Sequence, residues 1–127
     1  MYMLPADEVT RRTLSRVDAR PDPDAPLFLF VHYYDPHMPW VFAPPAVVGQ
    51  FTDPGYDGYV DGTMQSIGRL TQERLAGTLR YGDARQARAL YLAQVAWTDH
   101  QLGVLLAGLK ERRLLDNAVL MLSLIHI

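Results

Sequence analysis

The stretch from Leu27 to Trp40, LFLFVHYYDPHMPW, constrains this chain more than any other, because a wholly apolar run stands directly against three polar side chains and two prolines. Leu27, Phe28, Leu29, Phe30 and Val31 do not alternate with polar residues. That is the pattern of a strand covered on both faces, as in an α/β sheet, and Pro26 punctuates its start. In open α/β sheets ligands sit beyond the carboxyl ends of strands, where loops carry side chains that the sheet positions. His32, Asp35 and His37 fall there, so the run predicts a buried strand feeding a site.

The flanking segments fit such an architecture. Ala6 to Ala19 reads as a helix, with Val9, Leu14 and Val17 loosely at helical spacing. Arg20 to Pro26 (RPDPDAP) breaks it and forms a short linker. After Trp40, the prolines at 44, 45 and 54 and the glycines up to Gly62 predict a long irregular loop, whose aromatic residues Phe42, Phe51, Tyr56 and Tyr59 favour packing over disorder. A helical piece is expected around Met64 to Glu73. Asp83 to Arg113 is the strongest helix, with Tyr91, Val95, Thr98, Leu102, Leu105 and Leu109 at alternating steps of four and three defining its expected buried face. Ala118 to Met121 then reads as a second buried strand. Strand, long loop, long helix, strand predicts an α/β fold with both strands in one sheet flanked by helices.

Composition narrows the function. A formal net charge of −2 offers no electrostatic footprint for nucleic acid or an acidic membrane. No apolar run reaches the length of a membrane span. The absence of cysteine excludes disulfides and thiolate metal ligands within these residues.

FLFVHYYDPHMPW resembles the segment of the sulfatase family, within the alkaline phosphatase superfamily, in which a central strand is followed by a Pro-His-x-Pro turn. The likeness continues, in the family's order, through GYVDGT (58–63), ALYLAQVAWTDHQLG (89–103) and LLDNAVLM (114–121). It implies an alkaline phosphatase-like sheet flanked by helices and a hydrolase acting on a small-molecule or glycan sulfate ester. By the same resemblance, His37 is the catalytic and substrate-binding residue, donating a hydrogen bond to a sulfate oxygen that gains charge as the ester breaks. Trp40 is a candidate for the substrate pocket, as are Tyr33 and Tyr34. His32 and Asp35 are expected to support the loop, Asp35 through backbone amides of the Asp-Pro turn. Imidazole and carboxylate are ordinary metal ligands, yet the family draws its ligands from elsewhere, so no metal ligand is assigned here. The neighbouring Asp99 and His100 point about 100° apart on a helix and do not cooperate by default. The resemblance makes Asp99 a buried hydrogen-bonding residue and Tyr91 a packing one.

The family's formylglycine nucleophile, made in a Cys/Ser-x-Pro-x-Arg motif, and its calcium ion have no counterpart in this sequence: Ser15 is followed by RVDAR and Ser66 by IGRLT. The family's Asp-His-Gly or Asp-Asn-Gly metal motif, expected after LLDNAVLM, is likewise missing. In its place Leu122 to Ile127 (LSLIHI) match the translation of a transposase adapter end used in sequencing libraries, so His126 receives no role. The sequence therefore reads as an internal fragment of a sulfatase-like catalytic domain over 1–121, inactive alone, with 122–127 an adapter artefact. Alternatives are a phosphodiesterase or phosphonate monoester hydrolase of the same superfamily, or a non-catalytic α/β binding module. The resemblance leaves the compartment open between periplasmic or secreted and cytoplasmic.

Overall fold

The computed structural model describes residues 3–123 and contains four helices, α1 (Ala6–Asp18), α2 (Pro45–Val48), α3 (Met64–Ala76) and α4 (Tyr81–Glu111). Leu124 to Ile127, including His126 and most of the adapter-like tail, lie outside the described residues. No helix among the described residues is long and apolar enough to cross a membrane.

The 31-residue helix α4 organises everything else, because two separate apolar clusters form along it. Near its C-terminal end Leu105 and Leu109 pack on Val17 of α1, with Leu14, Val31, Tyr33, Leu114 and Leu115 around them. Contact there is close because residue 108 is glycine: a Cβ would stand 2.8 Å from the methyls of Leu14. The Thr10 hydroxyl donates to the Gln101 carbonyl at 3.3 Å and lies 2.8 Å from the Tyr33 hydroxyl, so α1, α4 and the chain after Pro26 meet at one polar point. At the rim, Arg112 forms a forked pair with Asp18 at 2.6 and 2.7 Å. Lying at the solvent rim, that pair is screened and contributes little to stability.

Nearer the start of α4, Ala87 and Leu90 pack on Val60, with Trp40, Val48, Tyr56, Tyr59 and Leu70 completing the second cluster. Asp83, fully buried in the first turn of α4, accepts a 2.6 Å hydrogen bond from the Tyr56 hydroxyl, which itself accepts from the Val60 amide at 3.0 Å. Helix α3 starts at Thr63, whose side chain caps the Ser66 amide, and stops at Gly77 in the left-handed conformation. The Tyr59 hydroxyl donates to Glu73 of α3 at 2.8 Å, and burial together with that carboxylate pushes its pKa up to about 12.

This architecture corrects the sequence reading on its central point. No strand or sheet exists among the described residues, so the expected α/β fold, an alkaline phosphatase-like sheet flanked by helices, is not what the chain forms. Leu27 to Val31 and Ala118 to Met121 take up no regular secondary structure, and neither makes a backbone hydrogen bond to another described segment. Their outward side chains are bare: Phe28 is 86% exposed, Phe30 80%, Val119 88% and Met121 83%. An unbroken apolar run reports that both faces of a strand suit a dry environment; it does not supply the neighbouring strand.

The buried face of α4 is also rotated from the expected one. It carries Asp83, Ala87, Leu90, Gln94, Gln101, Leu105, Gly108 and Leu109, whereas Tyr91 and Val95 are exposed. Only Leu105 and Leu109 are shared with the apolar spacing pattern. Asp99, expected to be buried, is exposed, as is His100.

Candidate functional site

The segment after Val31 folds into a tight turn whose backbone is closed by the His37 amide donating to the Tyr34 carbonyl at 2.8 Å. Pro36 removes one donor inside the turn, and a cis peptide bond joins Met38 to Pro39. The imidazole of His37 is exposed and lies against the Tyr34 ring, with centroids 4.6 Å apart. His32, also exposed, meets Tyr34 edge-on at 6.1 Å. Nδ1 of His37 is 2.8 Å from the Met38 carbonyl. A carbonyl only accepts, so Nδ1 carries the proton of this bond, and Nε2 donates only when the ring is the imidazolium cation.

Trp40 is half-buried where the turn leaves. Its indole N–H donates to the Pro36 carbonyl at 3.3 Å, its amide donates to the Gly62 carbonyl at 2.8 Å, and its ring stands edge-on to Tyr91 of α4 at 6.1 Å. The next two amides, of Phe42 and Ala43, both donate to Oε1 of Gln94, at 3.1 and 2.9 Å. The sequence pattern does not mark Gly62 or Gln94 as site residues. Gly62 had a signal, since a glycine ending YVDG suits a position where two backbones touch; a glutamine inside a helix has none.

Asp35 does not face the exposed side of the turn. It is fully buried, and its Oδ1 accepts the amide of Ala6, the first residue of α1, at 2.8 Å. Pro5 stands at the N-cap of that helix and has no side-chain acceptor, so Asp35 caps it from 29 residues away. Oδ2 has no partner. Burial raises the Asp35 pKa, the Ala6 amide opposes the shift, and the nearby Asp7 carboxylate adds to it.

A raised folded-state pKa means that the native state holds this proton more tightly than the unfolded chain does. The resulting stability is fully present below the unfolded carboxyl range, about pH 4, and is lost as pH rises through the folded value. Asp35→Asn keeps the acceptor without the charge, so its stability relative to the parent should improve steadily from pH 4 towards neutral in urea titrations. A difference that stays constant with pH would contradict the assignment. Asp35→Leu, which strands the Ala6 amide, should cost about 1–3 kcal/mol.

No group of three His, Asp or Glu side chains that would hold a cation exists among the described residues, and Asp35, the carboxylate nearest the histidines in sequence, is turned inward onto α1. A calcium ion asks for six to eight oxygen ligands, which this turn does not offer.

The sulfatase family model matches residues 5–123, nearly the whole chain and all of the turn. The chain belongs to the sulfatase family. No curated protein and no solved structure matches it. As a sulfatase domain the chain has a hydrolase parentage, and the match runs unbroken across α1, the turn and α4.

Proposed function

We propose that this sulfatase chain is the substrate-side part of an enzyme hydrolysing sulfate esters of small molecules or glycans, spanning 1–121, with the tail from 122 derived from an adapter. The observation that carries the reading is a family match over residues 5–123 that takes in an exposed histidine in a turn anchored on both sides. His37 is the group we assign to the sulfate. With Nδ1 committed to the Met38 carbonyl, its other nitrogen presents an N–H to an anion only as the cation, so charge and donor arrive together. Such a contact strengthens as negative charge gathers on a sulfate oxygen in the transition state, which is the condition for accelerating the reaction. Trp40 lies a few residues on and offers an apolar wall for the organic part of the ester. His32 and Asp35 act on the turn itself, His32 through the Tyr34 ring and Asp35 through α1.

The formylglycine nucleophile and the calcium ion associated with this family find no matching residues here, so no step is derived through either. On this reading both are supplied by sequence outside these 127 residues, and the chain alone is inactive. Sequencing the source DNA across the Met121 codon with primers that carry no transposase adapter tests the proposal. The frame should continue through Ser/Thr-Asp-His-Gly or Ser/Thr-Asp-Asn-Gly, with a Cys/Ser-x-Pro-x-Arg motif upstream. A genomic LSLIHI followed by a stop would remove the case for catalysis.

A further inference from the structure

Gln94 is fully buried on α4, between the apolar clusters at Ala87/Leu90 and Leu105/Leu109 that fix this helix on either side. Its side-chain oxygen, Oε1, accepts from two consecutive amides, those of Phe42 and Ala43, 52 and 51 residues earlier. The amide orientation follows from chemistry, since only the oxygen accepts from N–H. Its Nε2 has no hydrogen-bond partner among the described residues, so what the side chain contributes is the acceptor. Phe42 and Ala43 precede Pro44 and Pro45, which have no N–H of their own, and two adjacent amides entering the interior need an acceptor that no neighbouring strand provides. One turn earlier on the same helix, Tyr91 touches the Trp40 ring.

We propose that Gln94 is a positioning residue for His37. The turn is held at one end by Asp35 on α1 and at the other by Gln94 on α4, and α1 is itself packed on α4. Both ends of the seven-residue link from Asp35 to Val41 are thereby referred to one rigid helix, and the imidazole keeps one place relative to it. The functional consequence rests on the assignment of His37 to sulfate made above; the mechanical part does not.

The test uses the 15N-labelled chain as wild type, Gln94→Met, Gln94→Glu and, as a control for lost stability alone, Leu109→Ala. Gln94→Met keeps the volume and removes the acceptor. Amide exchange at Trp40, Phe42 and Ala43 should rise roughly 10-fold or more over that of α1 and α4 amides, with the His37 ring resonances displaced. Gln94→Glu, which retains an acceptor oxygen, should keep these three amides protected relative to the helices. Leu109→Ala should raise exchange without singling them out. Uniform acceleration in Gln94→Met, matching Leu109→Ala, or unmoved His37 resonances would overturn the positioning role, as would selective loosening in Gln94→Glu equal to that in Gln94→Met. A parallel titration with inorganic sulfate separates the two claims. Displacement of the His37 resonances in wild type, at lower sulfate than in Gln94→Met, supports both; no displacement in wild type alongside a loosened Gln94→Met turn overturns the sulfate assignment and supports the positioning role.

Discussion

Gly62→Ala is expected to destabilise the chain by about 2–4 kcal/mol. Gly62 is buried and holds φ at +87°, a conformation that costs an L-residue about 1–2 kcal/mol. Its added Cβ would also run into the carbonyl of Trp40, a backbone atom with no rotamer to escape by. Relief requires the two backbones to part, which breaks the 2.8 Å bond from the Trp40 amide to the Gly62 carbonyl and adds roughly another 1 kcal/mol. Gly77 is the matched control: φ is +71°, yet nothing among the described residues lies within 4 Å of where its Cβ would be. Gly77→Ala should therefore cost only the conformational part, about 1 kcal/mol. Urea denaturation of both variants decides the matter; equal losses would mean that the close approach at Trp40 is not a constraint on the fold. Because Trp40 ends the turn, Gly62→Ala should also disturb His37, whereas Gly77→Ala should not.

Leu105→Ala should cost about 2–5 kcal/mol, the range for emptying a buried leucine site that collapses only in part. Leu105 sits with Val17 and Leu109 in the cluster that holds α1 on α4. Losing α1 removes more than apolar area: Thr10 leaves the Gln101 carbonyl, and the Ala6 amide leaves Asp35. A domain of this size has only about 5–15 kcal/mol in total, so this substitution approaches global unfolding. Val104→Ala, next in sequence but exposed, should stay within about 0.5 kcal/mol. Comparable losses from the two, read from denaturation midpoints, would contradict the placement of the α1/α4 seam.

The helices were legible because their signals are local. Pro and Asp around Arg20 to Pro26 stop α1 where expected, and the expected start of α3 at Met64 coincides with its Thr63 cap. The long helix was legible in extent but not in orientation. Its apolar spacing pointed to Tyr91 and Val95, whereas the face that is buried includes Asp83, Gln94 and Gln101. Asp83 and Gln94 are inside because they meet a hydroxyl and two amides arriving from distant loops, and a hydrophobicity pattern has no symbol for a donor supplied from 51 residues away. The strands failed for a related reason. LFLFV and AVLM state what they would tolerate on each face, but pairing is a contact with another segment, and none of the described segments provides it. For the site, the Pro-His-x-Pro turn marked His37 from sequence, while the inward bond of Asp35 to α1 and the clamp at Gln94 are long-range contacts visible only once the chain is folded.

The central claim is that His37 serves sulfate ester hydrolysis and that the nucleophile lies outside these 127 residues. Its most direct test is sulfate release from an aryl sulfate, measured for this chain and for the longer genomic reading frame, each with His37 and with His37→Ala. The account predicts no release by the chain, release by the longer protein, and a loss of about 10²–10³-fold in kcat on His37→Ala there. Sulfate release by the purified chain that disappears on His37→Ala, or a longer enzyme indifferent to the substitution, would contradict it.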